Sequence, residues 1–317
     1  MDREEIAQGC LQQAGWAVKL GSPMYAALLR RMAEDVRAGG PCLAAMAPHP
    51  ELSRMLAPLL LLAALHRMVL EGRWPEAARF YPSMSGQFDL DALWPHFLQA
   101  VPRAVLPACV QTNEVGRSCA LLPGFLEVVR QTGLPLRLLE IGASAGLNLR
   151  WDHFRFLDVR STVHVTERRG CDLNPIDPSL EESRPALLSF TWPDQTDRFR
   201  QLKDAIEIAR RIPATVDRCD AVEWLEAHLA APRPGVATVV FHSVVMLYLS
   251  EEARESVRRI IEEAGERSTG DAPLAWLSME PGKDQADVHL TMWPGGERRL
   301  IAQAGFHGRD VKVLLGD

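Results

Sequence analysis

The sequence predicts an α/β protein: a doubly wound, mostly parallel sheet preceded by an all-helical N-terminal region. Three observations carry that expectation. From residue 2 to about 130, apolar positions recur at three-to-four spacing with no strand pattern; beyond 131, strand-like and helix-like stretches alternate as βαβ units do. Between them, Leu136-Arg-Leu-Leu-Glu-Ile-Gly-Ala-Ser-Ala-Gly146 reads as a buried strand running into a glycine turn and then a helix. The division expected is a helical region over 1–130 and an α/β region over 131–317, packed as one unit with the helices as a cap.

Composition sets the outer bounds. The 317 residues are 47% hydrophobic, enough for a sizeable core, and the formal charge is −6. With no dense Lys/Arg run, nucleic acid is disfavoured as an electrostatic partner. Cys10, Cys42, Cys109, Cys119, Cys171 and Cys219 are scattered, without paired histidines, which suits reduced thiols and no metal site. Met-Asp-Arg-Glu-Glu lacks the order of a signal peptide, and the run Met55 to Leu65 is too short for a membrane span. A cytoplasmic protein with no membrane partner is expected, and that run should be a buried helix broken by Pro58 and stopped at His66-Arg67.

The elements follow in order. Gly39-Gly40-Pro41 and Ala47-Pro48-His49-Pro50 separate the first helices, Tyr81 to Gly86 is a loop, and Trp94 to Leu106 is a short helix. Thr112 or Asn113 is placed to cap the helix carrying Leu121, Leu122, Phe125, Val128 and Val129. After the glycine turn, a helix is expected over Asn148 to Phe156 and a second strand from Ser161 to Thr166, leaving its layer near Asp172. Trp192-Pro-Asp-Gln195 opens a helix to about Arg211; Ala214 to Val216 is a third strand, and Asp220 begins the next helix. Val236 to Val245 is a buried fourth strand, Ser250 caps a helix to about Gly265, and Ala275 to Met279 is a fifth strand. Leu290 to Trp293 and Val311 to Leu315 close the chain as strand-like runs.

Chemistry concentrates at the glycine turn. Its pattern is Glu-x-Gly-x-Ser-x-Gly, with Ser144 where a dinucleotide fingerprint has the glycine that admits a pyrophosphate. A cofactor without phosphates, such as S-adenosylmethionine, makes no such demand. A glycine turn joining a core strand to a helix, with no ligand, explains the same residues.

With Gln111-Thr-Asn-Glu-Val-Gly-Arg117, Glu140 to Asn148, Arg169-Gly-Cys-Asp-Leu-Asn-Pro175, Trp192-Pro-Asp-Gln195, His242-Ser-Val244 and Leu274-Ala-Trp-Leu277 in that order, the chain resembles the bacterial family known as domain of unknown function 2332. The resemblance covers nearly the full length. A looser similarity, from Leu136 onward, is to class I S-adenosylmethionine-dependent methyltransferases. It implies a methyltransferase-like sheet with the cofactor at the strand ends. The sequence departs from that superfamily in Ser144 and in having no Asn/Asp-Pro-Pro-Tyr tetrad, which bears on the reaction more than on the fold.

That similarity assigns expected roles. Glu140, Gly142, Ala143, Ser144, Gly146 and Asn148 would form the cofactor loop; Asp172 would take the ribose hydroxyls, with Glu167 competing because it lies closer to the spacing of roughly 20 residues after the loop. Asp220 and Ala221 would hold adenine, although helix capping explains Asp220 equally well. Asn113, Glu114 and Arg117, one helical turn apart, could hold a methionyl ammonium and carboxylate; capping plus a surface ion pair is the plainer account. His242, at the end of an apolar strand, is the candidate base, with Tyr248 as the second catalytic candidate, while a hydrogen-bonded core histidine competes with that role. Trp151, Trp192 and Glu280 are further candidates for the substrate side, and for the aromatics core packing is the commoner explanation. His66 and His307 carry no signal. The function expected is methyl transfer from S-adenosylmethionine to a small molecule; the alternatives are a hydrolase using Ser144 as nucleophile with His242 or His307 as base, and a cofactor-binding module without chemistry.

Overall fold

The structure, a computed structural model, describes residues 2–48, 56–107, 110–157 and 163–315. His49, Pro50, Met55, Cys109 and Ser161, each used in the sequence reading, lie outside the described residues. The remaining five cysteines are free thiols. No helix among the described residues is long and apolar enough to cross a membrane.

The chain divides into two compact units, one of residues 1–112 with 180–203 and one of residues 113–179 with 204–317. In the first, α1 (Arg3–Lys19), α2 (Pro23–Ala38), α3 (Pro41–Met46), α4 (Ala57–Leu70) and α5 (Leu90–Ala100) surround a core that includes Leu28, Leu29, Met32, Leu61, Leu65, Trp74 and Phe97. Local chemistry starts these helices. Asp2 accepts the Glu4 N–H, Ser22 accepts the Tyr25 N–H ahead of Pro23, and Asp89 accepts the Ala92 N–H. Pro58 therefore opens α4, where a proline has no hydrogen bond to lose, and the helix continues through His66-Arg67 to Leu70. A buried helix is present, but neither Pro58 nor His66 interrupts it. Likewise α5 begins at Leu90, four residues earlier than expected, because the Asp89 cap sets its start.

His66 organises the middle of this unit. It is fully buried, with Nδ1 3.1 Å from the Ser189 carbonyl and Nε2 2.9 Å from Ser83 Oγ, and its ring stacks on Tyr81. Burial, opposed by the backbone carbonyls, lowers its pKa to about 4. The unfolded chain binds a proton near the ordinary value of about 6.5 that the folded chain refuses until about 4, so stability falls as pH drops through that window and is constant above it. A loss of about 3 kcal/mol is expected between those limits, read as urea midpoints; His66→Gln should flatten the dependence, and an equally steep variant would remove His66 as its source.

The second unit opens with α6 (Arg117–Thr132), which packs on the sheet. The strands are β1 (Leu136–Ile141), β2 (Val165–Asp172), β3 (Thr215–Arg218), β4 (Ala237–Ser243), β5 (Leu274–Pro281), β6 (Ala286–Trp293), β7 (Glu297–Ala304) and β8 (Lys312–Val313). They form one sheet in the order β3-β2-β1-β4-β5-β6-β7-β8. Pairings among β1 to β5 are parallel, and those from β5 to β8 antiparallel. The mixed α/β class and the mostly parallel central sheet match expectation. The second strand runs over Val165–Asp172, while Ser161, its expected start, lies outside the described residues; β7 is a strand beyond those the sequence signals. The helices α7 (Ser183–Ser189), α8 (Thr196–Ala209), α9 (Ala221–His228) and α10 (Glu251–Glu266) complete the chain. The sequence boundary at 130 places α6 with the helices; in the structure α6 lies in the sheet's unit, because Phe125 packs on Phe241 of β4 at 5.2 Å.

The two sheet faces carry different chemistry. Leu139, Ile141 and Val240 join Trp224, Leu225, Val257 and Ile261 in the core under α9 and α10. Strand alternation then turns the neighbours of those residues, Glu140 and Phe241, toward α6.

Candidate functional site

The glycine loop sits at the C-terminal edge of β1, beside the point where strand order reverses between β1 and β4. Gly142, Ser144 and Gly146 all have left-handed backbone, with φ of 66°, 50° and 62°. The glycines are demanded by the protein itself. A Cβ on Gly142 would stand 2.6 Å from Val245 Cγ2, and one on Gly146 2.8 Å from Val216 Cγ2. Buried Arg150 braces the loop, donating from Nη1 to the Gly146 carbonyl at 2.6 Å and from Nε to the Ile212 carbonyl at 2.7 Å.

The helix expected after this loop does not form. Residues 148–153 and 155–157 are short 3-10 turns, with Arg150 at non-helical angles. Arg168 accounts for the departure: it forks onto Asp152 with two 2.6 Å bonds and also reaches the Leu149 carbonyl, tying the segment to β2. Among the described residues that directly follow the loop, only these 3-10 turns are present.

Acidic groups gather round it. Asp172, the last residue of β2, accepts the Ser144 N–H at 2.9 Å through one oxygen and the Asn174 N–H at 2.8 Å through the other. Glu167 lies five residues earlier on β2, paired with buried Arg137 at 2.9 Å. Asp220 accepts the Val222 N–H and caps α9, with Ala221 buried as its first residue. Glu140 is 4% exposed, and its Oε2 has no hydrogen-bond partner among the described residues. Burial pushes its carboxyl well above the ordinary range; Asp172 adds to the shift, and Arg150 and Arg117 oppose it. Ser144 Oγ is also buried, and among the described residues it has no hydrogen-bond partner, a base included.

The Asn113, Glu114 and Arg117 cluster is built differently from expectation. The helix starts at Arg117 behind Gly116, without a side-chain cap from Thr112 or Asn113, so the three do not share a helical turn. Asn113 Oδ1 accepts the Ala145 N–H at 3.3 Å. Glu114 accepts the Gly116 N–H and lies 3.1 Å from His307 Nδ1. Arg117 donates to the carbonyls of Ser243 at 3.0 Å and Phe306 at 3.2 Å. Asn148 accepts from Ser118 Oγ at 2.7 Å. These residues clasp the glycine loop and the end of β4.

His242 is turned to the opposite face of the sheet. Its Nδ1 is 2.7 Å from Glu280 Oε1, and its Nε2 accepts the Trp276 indole N–H at 3.1 Å. Accepting at Nε2 fixes the proton on Nδ1, so neither nitrogen offers a lone pair to a substrate. The expectation of a catalytic base at His242 is corrected to a buried anchor. Glu280 Oε1 also accepts the N–H groups of Val245 and Met246. Burial acts to raise the Glu280 pKa, but the His242 and backbone hydrogen bonds outweigh it and hold the carboxyl below its ordinary value. The triad thus shapes the loop after β4, where Val244 has a φ of 56°, a conformation valine resists. Tyr248 is 62% exposed in the 3-10 turn that follows. Trp151 is core, stacked on Phe125 at 4.5 Å, and Trp192 belongs to the helical unit, where it packs on Tyr25.

The sequence reading missed Arg150, Val245 and Trp276. Only the strand register could have found Trp276 and the Glu280 role: His242 pairs with Ser278, so Trp276 and Glu280 flank it on the same face.

Compared with known proteins, the chain is matched by the model of the family DUF2332, described as an uncharacterized protein conserved in bacteria, over residues 7–160 and 157–312. No curated protein matches it. Among solved structures it is similar to the crystal structure of SCL7 in Oryza sativa, at 17% identity and a TM-score of 0.29, covering 88% of this chain and 65% of that one.

Proposed function

The chain belongs to the DUF2332 family of bacterial proteins, and for it we propose S-adenosylmethionine binding at the C-terminal edge of β1 and β2, with transfer of the methyl group to a small molecule. The observation that carries this reading is Asp172, a carboxylate closing β2 and hydrogen-bonded across to Ser144 N–H in the left-handed loop after β1. Open parallel sheets hold a nucleoside ribose with an acid in this position. Each Asp172 oxygen spends one lone pair on a backbone N–H, which leaves capacity for two hydroxyls.

Two features favour a nucleoside without phosphates. Ser144 stands where a pyrophosphate needs a glycine, and only 3-10 turns follow the loop, so the helix N-terminus that stabilises a phosphate is missing among the described residues. The unpartnered Glu140 Oε2 and Ser144 Oγ are buried polar atoms for which a bound polar ligand would supply hydrogen bonds. On this reading Asp172 holds the ribose, Asp220 and Ala221 border the adenine side, and Glu140 and Ser144 line the loop.

When bound, the cofactor supplies an activated methyl group. What the chain adds is alignment, which can supply effective molarities on the order of 10⁵ M. The exposed Tyr248, on the turn after β4, is the candidate on the acceptor side.

Variants of the strand-end acids test the assignment. Asp172→Asn keeps an acceptor for the loop but loses the charge, and it should weaken S-adenosylhomocysteine by roughly tenfold or more in calorimetry. Glu167→Ala should leave affinity unchanged while lowering stability, since buried Arg137 loses its carboxylate partner and, among the described residues, keeps only the His228 carbonyl. Equal effects on affinity would place the ribose elsewhere. Turnover of labelled cofactor with bacterial extract separates a transferase from a module that only binds.

A further inference from the structure

Away from the cofactor loop, on the opposite face of the sheet, a cavity of about 410 Å³ opens between α10 and strands β4 to β7. That is within the range of small-molecule sites. Its floor carries His242, Trp276 and Glu280, already bonded to one another, with Thr291 and Trp293 beyond them on β6.

The wall is a single stripe of α10. Arg254, Arg258, Glu262 and Glu266 recur every four residues and all line the cavity. The stripe is polarised: its arginines come first, where Arg254 Nε donates to the Leu249 carbonyl at 3.0 Å after the turn that follows β4, and its glutamates come last. Gly265, beside the glutamates, packs on Trp293, where a Cβ would come within 2.4 Å of the indole. The negative end of the stripe therefore lies with an aromatic ring, and the positive end with the anchored loop after β4.

Opposite charges at this spacing usually satisfy one another. One position further round the helix, Arg259 and Glu263 do so at 3.3 Å. Among the described residues, Arg258 and Glu262 form no such pair, and neither do Arg254, Glu266 or Arg298, which lines the cavity from β7. A wall that keeps its charges apart complements a ligand that carries both.

The geometry points to a second ligand site in this cavity, for a small dipolar molecule with a carboxylate at one end and an alkylammonium at the other. The carboxylate meets Arg254 and Arg258, for which the planar guanidinium is suited. The ammonium meets Glu262 and Glu266 against the indole faces of Trp276 and Trp293, which attract a cation. Arg258 and Glu262 are about 6 Å apart along the helix axis, so the two charges of the ligand must be separated by several methylenes. An α-amino acid, with its charges adjacent, spans the stripe less well. The site does not depend on the cofactor reading, since it shares no residue with the glycine loop.

The probe is 6-aminohexanoate, titrated by calorimetry or ligand-observed NMR against hexanoate and hexylammonium. The dipolar probe should bind at least about fivefold more tightly than either single-charge probe. Arg258→Gln should weaken 6-aminohexanoate and hexanoate but spare hexylammonium, and Glu262→Gln should do the converse. Both side chains are exposed, so neither variant disturbs the core. Absence of binding by the dipolar probe, equal affinity of the three, or indifference to both variants would overturn the assignment, and none of these results bears on the nucleoside site.

Discussion

Glu280→Ala is expected to lose about 3 kcal/mol of stability or more. One oxygen, Glu280 Oε1, accepts from His242 Nδ1 and from the N–H groups of Val245 and Met246. Removing it leaves three donors without an acceptor, and His242 is 1% exposed, so water reaches that donor poorly. Glu280→Gln keeps an acceptor oxygen and should recover more than half of the loss. The pH dependence has the opposite direction to that of a buried neutral acid. Because the folded Glu280 pKa lies below its unfolded value, its contribution is present above about pH 4.3 and is lost as pH falls toward the folded value. Chemical denaturation near neutral pH decides the matter: an alanine variant within about 0.5 kcal/mol of the parent would mean that the loop after β4 does not rest on this carboxylate.

Gly142→Val should be nearly as damaging, for a reason unrelated to any ligand. A side chain at φ 66° costs about 1–3 kcal/mol, and the added Cβ would overlap Val245 Cγ2 at 2.6 Å and Cγ1 at 3.0 Å. Shrinking the neighbour relieves only the second part. Val245→Ala combined with Gly142→Ala should therefore be less destabilised than the sum of the two single changes, by about 1 kcal/mol. Strict additivity would show that the glycine loop and the loop after β4 do not pack as described. The packing also means that loss of cofactor binding on substituting Gly142 or Gly146 would not locate a ligand, since the fold itself requires both.

How much of this was legible beforehand depends on the range of the interaction. Ser250, Asp220 and the apolar run of β1 act over a few residues, and the elements they begin or form appear where the sequence places them. The start of α6 departs from expectation because Asn113 looks like a cap, while its side chain is instead taken by the Ala145 N–H, 32 residues away. The helix after the glycine turn failed for a similar reason: Asp152 looks helical in pattern, but the Arg168 fork pulls its segment against β2. β7 is hidden in the sequence because Glu-Arg-Arg at its start masks the alternation that Ala302 and Ala304 continue on its buried side.

His242 shows the same limit within the candidate site. Its place at the end of an apolar strand was readable, but its partners, Trp276 and Glu280, follow from a strand register that spans 34 and 38 residues. Without that register a buried anchor and a catalytic base look alike. The place of Asp172 at the end of β2 was readable because its turn chemistry is local.

Calorimetric titration of the full chain with S-adenosylhomocysteine and, separately, NAD is the most direct measurement. Saturable one-to-one binding of S-adenosylhomocysteine, weakened by Asp172→Asn and with no binding of NAD, is the predicted result. Binding of NAD in preference, or no binding of S-adenosylhomocysteine to a folded protein, would contradict a nucleoside site at the ends of β1 and β2.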